Sequence, residues 1–273
     1  MEIASGEYVF FLDSDDWIDE KTLSDSVASL EKNKAQVVIC GVTEDYYNSD
    51  GNLYRSSIVN HSEKYLSNSK DIHNELIDLE AKDLYGYSCG KLYDLNFIKK
   101  TGVKFKTVTL IEDIVFNIDL FMTVDSCNIL NNGYYHYAKR DNNKSLTHKF
   151  IPNYYELIMM RIKALYSQYK EWDYLTEKVY MHLALRYSRY LFSALQRNCD
   201  KRMKFNHKKR KEFLINEFET ELYKDLSPYM GGGGLSGIMA KALKKKQVFV
   251  CLSIARIIYS VRMTFPALFE KIK

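Results

Sequence analysis

Proline is almost missing from this chain. Its 273 residues hold 3 prolines beside 22 tyrosines and 14 phenylalanines, a balance that excludes a disordered or low-complexity chain. Cysteine is scarce and scattered. Cys40, Cys89, Cys127, Cys199 and Cys251 are odd in number and form no Cys-x-x-Cys pair, which argues against zinc or disulfides and for free thiols in a reducing cytoplasm. A strong charge of one sign is lacking as well. The net charge is +4 and no basic stripe alternates with stacking aromatics, so no nucleic-acid partner is expected. The apolar run from Val248 to Tyr259 is too short and too interrupted to span a bilayer. What remains is globular, 46% hydrophobic and 27% charged, with length for one large or two modest domains.

The most informative segment is Tyr8-Val9-Phe10-Phe11-Leu12-Asp13-Ser14-Asp15-Asp16-Trp17. Five apolar residues without alternation predict a strand buried on both faces, as in a parallel sheet covered by helices. Ligands of such sheets gather at the carboxyl ends of the strands. Asp13 and Asp15 fall there, with the charge to hold a hard divalent cation through oxygen and leave positions for phosphate oxygens. An EF-hand is excluded, because counting from Asp13 the sixth position is Ile18 instead of Gly and the twelfth is Ser24 instead of Glu. A phosphatase of the haloacid dehalogenase type also places Asp-x-Asp after a strand, but Trp17 stands where it usually has Thr or Val.

The string from Ala4 to Trp17 closely resembles the nucleotide-sugar site of family 2 glycosyltransferases with the GT-A fold. Further matches follow in the same order and spacing. Gly90-Lys91-Leu92-Tyr93 is similar to the family's Lys-Leu-Tyr segment, and Ile111-Glu112-Asp113-Ile114-Val115-Phe116-Asn117 to its Glu-Asp-x-x-Phe segment. Tyr134 to Tyr137, with Arg140 and Ser145, resembles the strand and Arg-x-x-x-x-Ser loop that close its catalytic domain. The similarity covers residues 4 to 148. It implies that Asp13 and Asp15 bind Mg2+ or Mn2+ carrying the diphosphate of a nucleotide-sugar donor such as a UDP-sugar. It also implies that Asp113 is the base of an inverting transfer to a saccharide or lipid-linked acceptor of the capsular or exopolysaccharide type.

The residues themselves leave choices open. Glu112 and Asp113 open an apolar-periodic helix, so they either cap it or work at it. A helix N-terminus is expected to lower the Asp113 pKa and keep it ionised. Glu112 caps or orients the site. Lys91 either reaches a phosphate or the acceptor, or is a solvated surface lysine. Arg140 either grips diphosphate by its planar fork or lies in a polar loop. His136 is either a metal ligand or a packed histidine between tyrosines. Asp16 orients the loop, and Trp17 packs beside the carboxylates.

The family's opening Pro-x-Tyr-Asn loop and the strand and helix units that hold the nucleotide base do not precede Tyr8. The expectation is therefore an N-terminally truncated α/β GT-A domain over 1–148, impaired in transfer or acting as a noncatalytic partner at the membrane. Within it, strands are expected at 8–12, 36–43, 127–131 and 134–139, helices at 20–33, 69–80 and 112–123, and a variable loop to about 60. A helical accessory region over 149–230 follows, with Tyr166, Tyr187, Tyr190 and Phe192 in its core or along an acceptor groove. Gly231 to Gly234 and a basic amphipathic helix complete the chain over 231–273. Four lysines beside an apolar face suit peripheral contact, through 235–273, with the anionic inner face of the plasma membrane.

Overall fold

The structure, a computed structural model, describes residues 3–108, 110–140 and 150–265, in two compact units, 1–150 and 151–273. The first unit runs β1 (Tyr8–Phe10), β2 (Trp17–Ile18), α1 (Thr22–Asn33), β3 (Val37–Ile39), β4 (Val42–Tyr47), β5 (Leu53–Val59), β6 (Lys64–Leu66) and α2 (Ser69–Ala81). It continues with β7 (Lys91–Asp94), α3 (Leu95–Thr101), α4 (Glu112–Phe121), β8 (Cys127–Ile129) and β9 (Tyr135–Arg140). Two sheets result, ordered β1-β7-β3-β8-β6 and β2-β9-β4-β5.

Two glycines explain why there are two sheets. β3 pairs parallel with β8 in the first sheet, and their continuations β4 and β9 pair parallel in the second. Both strands cross over at a glycine. A Cβ on Gly41 would lie 2.8 Å from the Asn132 carbonyl oxygen, and one on Gly133 would lie 2.5 Å from Thr43 Oγ1. The strand expected over 36–43 is thus cut in two at Gly41, because only a bare backbone fits where the corners press together.

Other expectations need correcting. The first sheet is mixed, since β7 runs antiparallel to both β1 and β3. β1 stops at Phe10 and is a half-buried edge strand with β7 as its partner, whereas Val37, Val38 and Ile39 in the middle are buried. The variable loop is instead the β4–β5 hairpin. Its turn is held by Asn48, whose side chain accepts from the amides of Asp50 and Asn52, with Gly51 at φ 81°. Asn68 and Asp94 cap α2 and α3 by accepting from Asp71 N and Phe97 N, which fixes where those helices begin.

The second unit is helical: α5 (Tyr154–Glu171), α6 (Glu177–Arg197), α7 (His207–Phe218), α8 (Glu221–Leu226), α9 (Gly234–Lys244) and α10 (Val248–Thr264). Thr176, Asn206 and Thr220 cap α6, α7 and α8. Helix α6 is the hub, touching α5, α8, α9 and α10, and it buries Leu183, Ala184, Tyr187, Leu191 and Leu195 completely. Tyr187 therefore packs in the core, and its hydroxyl donates a hydrogen bond to Glu217. The glycine run is a tight turn, since a Cβ on Gly237 would meet the Gly232 carbonyl oxygen at 2.2 Å. Helices α9 and α10 pack into this unit, α10 through a narrow stripe of Cys251 and Ala255. Among the described residues no helix is long and apolar enough to cross a membrane.

Candidate active site

The acidic loop is a bridge. It leaves β1 in the first sheet, where Phe11 makes a parallel bridge with Cys89, and enters the second as β2, where Trp17 and Ile18 pair with His136 and Tyr135. Tyr135, fully buried, fastens it from below. Its hydroxyl donates to Asp16 Oδ2 at 2.7 Å and accepts from Asp13 N at 3.3 Å, while Asp16 Oδ1 accepts from Ala138 N at 2.9 Å. Asp16 is consumed by this fastening, and Asp13 and Asp15 are left open to solvent.

The second acidic group stands at the start of α4. Asp113 Oδ1 accepts from the adjacent Ile114 N at 2.8 Å, inside the first turn of a helix whose N-cap, Ile111, makes no side-chain cap bond. Asn117, one turn on and fully buried, donates to the carbonyls of Gly86 and Asp113 and accepts from Tyr93 OH at 2.8 Å, which pins this end of α4 to the segment before β7. Burial raises the Asp113 pKa, Glu112 raises it further, and the amides of Ile114 and Ser88 with Lys91 only partly oppose this. The expected lowering is corrected: desolvation outweighs the helix end.

These motifs converge at Cys89. Its thiol is pushed up to about 12, mainly by burial, and it feels the charges of Lys91, Asp13, Asp113 and Asp16. Glu112 in turn acts on Asp13. The two acidic segments, a hundred residues apart in sequence, thus share one electrostatic neighbourhood. Lys91 sits beneath it. The side chain is 1% exposed, its ammonium donates to the Tyr87 carbonyl, and burial lowers its pKa to about 8. It is neither a surface lysine nor, in this conformation, free to meet a phosphate. Its charge acts on Asp113 from this buried position.

Arg140, at the end of β9, donates from Nη2 to the Asp15 carbonyl at 3.0 Å, with Nη1 3.7 Å from Asp15 Oδ2. It belongs to the acidic loop, and Ser145 lies outside the described residues. His136 lies between two carboxylates. Its Nδ1 faces Asp45 Oδ2 at 2.7 Å, its Nε2 faces Asp19 Oδ1 at 3.4 Å, and its ring stacks on Trp17 at 4.9 Å. With both nitrogens turned to carboxylates it is a packed, bonded histidine, because its partner strand β4 carries Asp45 beside it.

The carboxylates nonetheless suit a divalent cation. Partial burial, then Asp16, Asp15 and Glu112, raise the Asp13 pKa. A hard cation on Asp13 and Asp15 would relieve that repulsion, and oxygen-only donors fit Mg2+ or Mn2+. Sequence reasoning missed Tyr135 and Cys89. The tyrosine run around His136 pointed to packing, and nothing in the sequence tied it to Asp16.

The mixed α/β unit with its helical partner unit has a fold of GT-A type. Residues 1–90 match the model of glycosyl transferase family 2. The chain is 24% identical over 160 residues to poly(ribitol-phosphate) beta-N-acetylglucosaminyltransferase TarS of Staphylococcus aureus strain MW2, and equally to that of strain Mu50 / ATCC 700699. Those matches cover 58% of this chain and 26% of the relatives, so the chain spans about a quarter of the curated relatives it matches. Two solved structures share the fold: S. aureus TarS 1-349 (TM-score 0.55, 14% identity) and the same protein in complex with UDP-GlcNAc (TM-score 0.53, 18% identity). Each alignment covers 93% of this chain, and 68% and 69% of those chains respectively.

Proposed function

We propose that this chain is an inverting glycosyltransferase moving a sugar from a nucleotide diphosphate, such as a UDP-sugar, to a hydroxyl of a saccharide or lipid-linked acceptor. The observation that carries the proposal is that Asp13 and Asp113 both act on Cys89, while Asp15 and Glu112 both act on Asp13. Asp113 takes the proton of the acceptor hydroxyl as its oxygen bonds to the anomeric carbon, and the bond from that carbon to the diphosphate breaks. A raised pKa suits a base that must hold the proton it takes. Asn117 and Lys91 position Asp113, Glu112 orients the acceptor side, and Arg140 supports Asp15. Asp13 and Asp15 would hold Mg2+ or Mn2+, whose positive charge would offset that of the departing diphosphate.

Titration of the purified chain with uridine diphosphate and Mn2+, by calorimetry, tests the donor half. Binding that disappears in Asp15→Ala is expected. A folded chain without binding refutes the donor site and favours a noncatalytic partner, a reading that rests on the open edge of β1. Asp113→Asn tests the other half, abolishing transfer while uridine diphosphate still binds.

Membrane contact through 235–273 is the second part of the proposal. Leu235, Ile238, Phe249 and Ile257 are exposed on α9 and α10, close in sequence to exposed Lys241, Lys245 and Arg256. An apolar face with cationic neighbours fits an anionic bilayer, each Lys or Arg contributing about 1 kcal/mol. Because α10 also covers α6, substitution is a cleaner test than deletion. Phe249→Ser with Ile257→Ser should abolish flotation with phosphatidylserine vesicles, and unchanged flotation sinks this part.

A further inference from the structure

At the edge of the first sheet opposite β1, the segment between β5 and β6 meets helix α2 in a group of side chains that the transfer reaction does not use. His61 precedes β6, and Glu75 and Asp78 stand one turn apart on α2, hence on one face. His61 is 8% exposed and Glu75 7%. One ligand atom from each of the three lies within 4.8 Å of the others.

The pairing of His61 with Glu75 is unusual. Nε2 stands 3.0 Å from Oε1, yet Oε1, fully buried, accepts no hydrogen bond among the described residues. The other ring nitrogen, Nδ1, lies 3.2 Å from the Ser62 carbonyl oxygen and 3.3 Å from Ser62 Oγ; the carbonyl can only accept, and the tautomer that satisfies it carries the proton on Nδ1. Nε2 then presents a lone pair to a carboxylate lone pair. Two such atoms at 3.0 Å need something positive between them, and that separation is ordinary for neighbouring ligands of one ion with bonds of about 2.0 to 2.2 Å. Lys64 holds the other oxygen, Oε2, at 2.6 Å and so aims Oε1 into the group. A backbone carbonyl on the far side of a ligating imidazole and a fixed carboxylate are the usual supports of a metal ligand.

We propose that His61 Nε2, Glu75 Oε1 and an Asp78 carboxylate oxygen bind one zinc ion that clasps the β5–β6 segment to α2. An imidazole with carboxylates favours zinc over magnesium or calcium, which take oxygen ligands. The order of the sheet puts four strand spacings, about 19 Å, between β6 and β1, so the clasp is structural and independent of the donor site.

The test is competition for Zn2+ between the purified full chain and a chromogenic chelator, run on the wild type, His61→Gln, Asp78→Asn and Asp15→Ala, with far-UV circular dichroism on each. The expected result is one tightly held zinc in the wild type and in Asp15→Ala. Affinity should fall more than about tenfold in each of the other two variants. If His61→Gln does not fold, the more exposed Asp78→Asn decides. Zinc lost with Asp15→Ala but kept in Asp78→Asn overturns the proposal. So does a wild type that binds no zinc yet loses thermal stability in His61→Gln, which marks a protonated ion pair.

Discussion

Tyr135→Phe removes one oxygen atom from beneath the acidic loop and tests whether that loop is built or merely present. The lost hydroxyl makes two bonds of unequal weight. Its bond to Asp16 Oδ2 is buried at one end and charged at the other, a kind that contributes about 1.5 to 3 kcal/mol. The 3.3 Å bond from Asp13 N is long, and water can replace it at the exposed loop. Asp16 keeps the Ala138 amide, so the loop is loosened but not released. The expected loss is therefore about 2 kcal/mol, or about 6 °C in the melting midpoint of a unit of this size. Asp16→Asn keeps the Ala138 contact but weakens the charged bond, so the double-mutant cycle should return a coupling of about 1 to 2 kcal/mol. Affinity for uridine diphosphate with Mn2+ should fall about tenfold, since Asp13 and Asp15 lose their fixed base. A Tyr135→Phe protein within about 0.5 kcal/mol of wild type, or a coupling near zero, refutes this account of the loop.

Four further outcomes follow from the same structure. Asp113→Asn should abolish transfer yet raise the melting temperature at pH 7. The folded protein holds the Asp113 carboxyl above its ordinary value, so ionisation costs stability at neutral pH, and the gain should vanish as pH falls below the unfolded value of 3.8. Lys91 titrates in the opposite sense, its folded pKa of about 8 lying below the ordinary 10.5. Its charge costs stability below pH 8, on the order of 3 kcal/mol, and the cost fades as pH rises toward 10.5. Lys91→Met should therefore be more stable than wild type at pH 7 and converge with it near pH 10 in urea unfolding. Gly41→Ala forces a Cβ against backbone oxygens of Asn132 and Val59 at 2.8 and 3.0 Å and should cost about 1 to 3 kcal/mol, whereas Gly51→Ala, with open space around it, should cost about 1. Arg140→Ala should change stability by less than about 1 kcal/mol, the pair being exposed, but weaken uridine diphosphate binding.

The sequence was legible where local pattern decides. Helix α2 lies where 69–80 predicted it, and α4 begins at Glu112 because two carboxylates followed by an apolar period are a helix start. The acidic segment and the Lys-Leu-Tyr strand were visible as motifs. It was not legible where distant segments decide. Gly41 cuts a strand only because Asn132 and Asn60 lie against it, and no window of sequence contains both corners. Lys91 looks like any lysine until the fold buries it, and Asp113 looks like a helix cap until burial raises its pKa. The residues that fasten the site, Tyr135 and Asn117, are tertiary contacts spanning 119 and 31 positions, and neither leaves a local signature.

The loop that carries Asp13 and Asp15 is also a ruler. It is anchored by pairing at both ends, Phe11 to Cys89 in one sheet and Trp17 to His136 in the other. Side chains on a strand alternate, so one residue added or removed between those anchors would turn Trp17 off its stack on His136 and carry Ile18 to the opposite face. Every carboxylate would survive such a change, and the site would still be lost. Its specification therefore includes a length as well as a composition, and exchanging this segment with another protein's should succeed only between loops of equal count.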